Sequence, residues 1–150
     1  MDELLEFADA ESVIDASGDT QLLGDVIDLG AGGTGFHGKQ MYLVISVDTE
    51  VDSAMDGATI QFQLASDAAA GIATNGDASV HVDTGAIAET ALVEGAMFVF
   101  PVPPSGGVDA FERYLGILQT TGGENVTAGA VNAFLTMDAK YWKAYADGDN

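Results

Sequence analysis

Thr59-Ile60-Gln61-Phe62-Gln63-Leu64-Ala65 decides the fold class: Ile60, Phe62 and Leu64 fall on one side of an extended chain, and Thr59, Gln61 and Gln63 on the other. Strict two-residue alternation describes a strand with one face in a core and the other in water. Upstream, Met41-Tyr42-Leu43-Val44-Ile45-Ser46-Val47 is β-branched and almost wholly apolar. Such a run reads as a central strand, with Asp48-Thr49 expected to end it. Outward from these two, strand patterns recur at residues 25–29, 80–82, 96–102, 114–120 and 130–137, and more faintly at 12–16 and 87–91.

The segments between carry Gly32-Gly33, Asp56-Gly57, Asn75-Gly76, Pro103-Pro104 and Gly122-Gly123, which supply turn conformations and interrupt helices. Residues 65–73 are Ala-rich enough for a short helical turn, although Gly71 and Gly76 favour a loop. About eight short strands with no helices between them imply an all-β protein, an antiparallel β-sandwich or jelly roll rather than a parallel α/β sheet. A chain of 150 residues fits one domain, 1–150, with an N-terminal arm at 1–10 and a C-terminal tail at 139–150 outside the strand pattern.

Composition then removes whole classes of function. With no cysteine, disulfides, zinc ribbons and thiolate nucleophiles are excluded, and assembly in a reducing cytoplasm is expected. Met1-Asp2-Glu3-Leu4-Leu5-Glu6-Phe7 is acidic where a secretory signal starts basic, and no run approaches ~18 apolar residues, so neither export by signal peptide nor a membrane partner is expected. Twenty-four acidic residues against four basic ones give a formal charge of −20, which repels nucleic acid. Spread over a folded surface, that is about one net charge every 19 Å, some twice the ~8 Å screening length in physiological salt. Copies can therefore pack side by side. A salt-adapted host proteome would carry the same acidic surface.

The motifs that suggest catalysis do not hold together. Val26-Ile27-Asp28-Leu29-Gly30-Ala31-Gly32-Gly33-Thr34-Gly35 matches a glycine-rich cofactor pattern and resembles the first motif of methyl-donor-dependent methyltransferases. Such sites need a strand, a turn and then a helix facing the ligand, whereas Phe36-His37-Gly38-Lys39-Gln40 leads into another strand. No cofactor is expected. Of the two histidines, His37 sits among glycines, and His81 alternates with Val80 and Val82 on what should be the polar face of a strand. Ser17 and Ser105 stand in no nucleophile context. Asp15 with Asp19, Asp48 with Asp52, and Asp147 with Asp149 match no calcium-loop spacing, so no metal site is assigned. Asn125-Val126-Thr127 fits the glycosylation pattern without a secretory context. A non-enzymatic protein is the expectation.

Contact surface is the better reading of two clusters. Leu4, Leu5 and Phe7 are apolar and too few to build a core of their own. Lys140-Tyr141-Trp142-Lys143-Ala144-Tyr145 gathers three aromatics and two of the four basic residues. These eight residues, Leu4, Leu5, Phe7, Lys140, Tyr141, Trp142, Lys143 and Tyr145, are candidate contacts with other protein subunits; the competing reading has both ends covering the open edges of the chain's own sandwich. Trp142 with its tyrosines also keeps open a carbohydrate- or receptor-binding module. Arg113, the only arginine, should pair with Glu112 or another acid.

Phe7-Ala8-Asp9-Ala10, Val26-Ile27-Asp28-Leu29-Gly30, Tyr42-Leu43-Val44, Val47-Asp48-Thr49, Phe62-Gln63-Leu64-Ala65-Ser66-Asp67, Pro101-Val102-Pro103-Pro104, Glu112-Arg113-Tyr114-Leu115, Thr127-Ala128-Gly129-Ala130-Val131 and Tyr145-Ala146-Asp147-Gly148 follow one another in a familiar order and spacing. In that arrangement the chain resembles the phage capsid cement (head decoration) proteins of the Bordetella-phage type. The resemblance implies a jelly-roll fold, a homotrimer, and a seat on the outer surface of a tailed-phage head, where the partner is the major capsid protein, and it makes Leu4, Leu5, Phe7, Lys140, Tyr141, Trp142, Lys143 and Tyr145 candidate trimer or capsid contacts. It brings no catalytic residues. The chain departs from the family in its stronger acidity and its longer loop around residues 68–79, differences that bear on docking contacts.

Overall fold

The computed structural model describes residues 5–30, 36 and 38–139. They form eight strands: β1 (Glu6–Ser12), β2 (Thr20–Asp28), β3 (Met41–Ser53), β4 (Thr59–Asp67), β5 (Ser79–Ala88), β6 (Met97–Val102), β7 (Tyr114–Gly122) and β8 (Val126–Thr136). Among the described residues there is no α-helix, and one 3-10 turn (Glu89–Ala91) follows β5. No described helix is long and apolar enough to cross a membrane.

The strands make two four-stranded antiparallel sheets, ordered β1-β8-β3-β6 and β2-β7-β4-β5. Pairing is nested: β4 pairs with β5, β3 with β6, β2 with β7 and β1 with β8, and successive pairs fall alternately in the second and first sheet. The chain is thus one long hairpin, doubled at the β4–β5 connection and rolled into two layers, which is the jelly-roll order. The expected all-β sandwich is present.

The core lies between the layers. Leu43, Ile45 and Val47 from β3 and Val131, Ala133 and Leu135 from β8 meet Ile60, Phe62 and Leu64 from β4 and Leu115 and Ile117 from β7. In β4 the alternation read from sequence is the alternation of burial, because each step along a strand turns the side chain to the opposite face.

Three boundaries differ from the sequence reading. Asp48-Thr49 does not end β3: a register shift between Val47 and Thr49 absorbs the polar pair, and the strand continues to Ser53 against β8. The first strand is Glu6–Ser12 rather than 12–16, so half of the supposed N-terminal arm is sheet. Residues 87–91 divide between the end of β5 and the 3-10 turn.

Two connections shape the surface. Residues 68–78 have no helix; they fold over the outer face of the second sheet, where Ile72 is buried with Ala65 and Leu118 and packs against Leu22, Val26 and Tyr114. Asp67 closes this loop by accepting hydrogen bonds from the Ala69 and Ala73 amides at 3.1 and 3.0 Å. At the layer edge, Gly24 takes φ +66° in a register shift of β2, where an added Cβ would overlap the Phe7 carbonyl oxygen of β1. Glycine is what lets the two sheets approach there.

Candidate contact surfaces

Of the sequence-selected contact residues, Leu4, Lys140, Tyr141, Trp142, Lys143 and Tyr145 lie outside the described residues, as does His37. Leu5 is half-buried against the core, and Phe7 is 1% exposed within it. For Phe7 the expectation of a free contact is corrected: β1 is an edge strand of the first sheet, and its inward side chains are used up in closing the chain's own sandwich.

His81 is the second correction. It was expected on a solvated strand face, yet it is 9% exposed. The cause is a bulge: Val80 pairs with Ala65 and Val82 with Leu64, so β5 carries one extra residue opposite β4 and both His81 and Val82 turn inward. The imidazole joins two elements. Ser66 Oγ already accepts the Glu112 amide at 3.0 Å, so its proton is free to go to His81 Nε2 at 2.7 Å, while Nδ1–H donates to the Gly106 carbonyl at 2.7 Å. The Phe111 ring lies 4.4 Å away, and Phe36 meets Phe111 edge-on at 5.5 Å. Burial pushes the His81 pKa down, opposed by the Gly106 hydrogen bond and by Asp109 and Glu112. A neutral ring with both nitrogens engaged pins the β6–β7 connection to the second sheet. A serine and a histidine do meet here, but Ser66 is fully buried. The pair has the form of a structural staple.

Other charged groups serve turns. Glu89 is buried; its carboxylate accepts the Ser53 hydroxyl and the Gly57 amide, and these bonds hold its pKa below the usual range. Arg113 pairs with Asp28 rather than Glu112, through Nε at 3.0 Å and Nη2 at 2.9 Å, with both side chains about half exposed. Asp15 Oδ1 accepts the Ala16 amide, Asp48 the Thr49 hydroxyl and Asp52 the Ser53 amide, so these aspartates bind their own neighbours. The glycine-rich segment after β2 leads to β3 of an antiparallel sheet, with no helix among the described residues to face a cofactor.

The outer face of the first sheet is different in kind. Cross-strand rows place Thr136, Tyr42 and Pro101 side by side, then Glu6, Phe134, Val44 and Val99, then Asn132, Ser46 and Met97. Met97 and Val99 are 36% and 38% exposed, and Met137, just past β8, is 60% exposed. Tyr42, Val99, Met137, Asp138 and Ala139 line a groove of ≈ 370 Å³. Sequence reasoning missed this surface, although the signal was there: β6, Met97-Phe98-Val99-Phe100-Pro101-Val102, is apolar on both faces.

A family model described as Bbp16 matches residues 7–135. The chain belongs to the Bbp16 family. This is a Bordetella phage protein family. The Bbp16 match runs from Phe7 in β1 to Leu135 in β8, both core residues, and so spans the whole sandwich. No curated protein matches the chain.

Proposed function

We propose that this protein is a non-enzymatic structural component of a virion: a cement, or decoration, protein that sits on the outer surface of a tailed-phage head as a homotrimer and binds the major capsid protein. The observation that carries the reading is the Bbp16 match across the entire jelly roll, together with the resemblance of the chain to phage cement proteins. The fold suits the task. A two-layer sandwich with a continuous core is rigid, and rigid contacts lose little entropy on docking.

The mechanism is mechanical. Each copy buries modest area against neighbouring capsid subunits, and binding only the assembled lattice stabilises it over free subunits by mass action. A trimer that engages equivalent patches converts its second and third contacts into intramolecular events, so weak interfaces add up to a strong clamp. The formal charge of −20 keeps the free protein soluble at high copy number and away from the packaged nucleic acid.

Purified protein added to expanded heads that lack it should co-sediment with them and raise the temperature at which they release DNA. Phage particles whose protein content includes none of this chain would overturn the proposal.

A further inference from the structure

The turn at Asn75-Gly76 joins the loop that covers the second sheet to β5, and both of its residues are exposed. An asparagine followed by glycine carries its own reaction. The amide nitrogen of the following residue attacks the side-chain carbonyl carbon, Cγ, and closes a five-membered ring; glycine, with no side chain, leaves that approach unhindered. The nitrogen must first give up its proton, and an acceptor that holds the N–H in a hydrogen bond keeps it from doing so.

Hydrogen bonding separates Asn75 from the other positions where this chemistry could start. Asn125 precedes Val126, whose amide donates to the Asp15 carbonyl at 3.0 Å and whose branched side chain crowds the approach. Asn132 precedes Ala133 inside β8, which is paired with β1 on one side and β3 on the other. Asp56-Gly57 could close the same ring with loss of water, but the Gly57 amide donates to the carboxylate of buried Glu89. The Gly76 amide has no hydrogen-bond partner among the described residues, and an added Cβ at Gly76 would meet nothing within 4 Å. Asn75 Oδ1 accepts the Asp77 amide at 3.3 Å, which keeps the side-chain carbonyl folded toward the backbone that follows it, the side on which the ring closes.

We infer that Asn75 is a site of spontaneous covalent modification. Gly76 N forms a bond to Asn75 Cγ, the Cγ–Nδ2 bond breaks and the side-chain nitrogen leaves as ammonia. Water then opens the ring at either carbonyl to leave aspartate or isoaspartate, so one water enters for each ammonia released. The product undoes the turn that formed it. Asn75 Nδ2 donates to Asp77 Oδ2 at 2.7 Å, whereas the new carboxylate has no proton to offer and meets Asp77 as a like charge. The isoaspartate route also lengthens the backbone by one carbon. The change falls in the loop whose Ile72 covers Ala65 and Leu118, so each conversion loosens the cover of the second sheet and adds a negative charge to a chain already at −20. The site thus marks the age of each copy, and this holds whether or not the protein binds capsids.

Full-length protein aged at mildly alkaline pH should release ammonia and accumulate aspartate and isoaspartate at position 75, read by peptide mass and by isoaspartyl methyl-transfer labelling. The rate should rise with pH, because the attacking amide loses a proton. Asn125, Asn132 and Asp56 should convert at least an order of magnitude more slowly, and unfolding in urea should speed Asp56 more than Asn75. Asn75→Gln should remove the labelling at this site, and Asn75→Asp should raise hydrogen exchange of the loop amides several-fold. Position 75 intact in the folded protein after it has converted in the urea-unfolded chain, Asp56 converting as fast as Asn75, or loop exchange unchanged in Asn75→Asp would each overturn the inference.

Discussion

At the scale of single residues, stability rests on a few positions whose backbone or partners leave no alternative. Gly24 combines a left-handed φ with contact against the Phe7 carbonyl, so Gly24→Ala must either move β1 or unwind the bulge. A loss of about 2–4 kcal/mol in urea unfolding is expected. His81 titrates with a definite sign. Its folded pKa lies below the ordinary value of 6.5, so below that pH the unfolded chain takes up a proton that the folded chain refuses. Unfolding free energy should therefore decline as pH falls from about 7.5 through 6.5, and His81→Gln should flatten that limb. Glu89 and Asp28 act in the same sense at lower pH, with folded pKa values held down by hydrogen bonds and, for Asp28, by Arg113. Their stabilisation is complete above the unfolded carboxylate range and is lost at more acid pH, so two separate steps are expected in a pH titration of stability. Neither role was legible locally. The alternation Val80-His81-Val82 predicts an outward histidine, and only the pairing with β4 reveals the extra residue that turns it in.

At the scale of elements, local pattern served best where one face is wet. β4 reads correctly because its polar and apolar residues alternate without exception through Leu64. β3 and β6 carry apolar residues on both faces, and that pattern says a strand is covered twice without saying by what. The 68–78 loop answers the question for the second sheet. Its Ile72 covers Ala65 and Leu118, so Ile72→Ala should cost about 2–3 kcal/mol and raise hydrogen exchange in β4 and β7 above that in β3. Nothing in the Ala-rich sequence of this loop marks Ile72 as a core residue; it becomes one because the loop returns over the sheet.

At the scale of the whole molecule, the nested pairing makes nearly every ladder except β4–β5 a long-range one, closing only after distant segments meet. Loop-closure entropy must be met before those contacts reward it, so refolding on the order of milliseconds to seconds, rather than microseconds, is expected in stopped-flow mixing. The acidic surface makes a further prediction. Copies carrying −20 each repel at low salt, so self-association followed by sedimentation should strengthen as salt is added. A homotrimer held instead by opposite charges would loosen under the same change.

The amino-acid sequence by itself determined that this chain is all-β, because side-chain alternation and turn residues act over a few positions and need no partner to be read. It also determined the formal charge of −20, and it carried the order of segments by which the family is recognised. Only the tertiary structure decided which strands pair, that His81 is buried in a bulge, that Phe7 belongs to the core, and that the first sheet carries an apolar outer face. Those facts depend on register between residues far apart in the chain, and a shift of one residue in pairing reverses the face to which every side chain points.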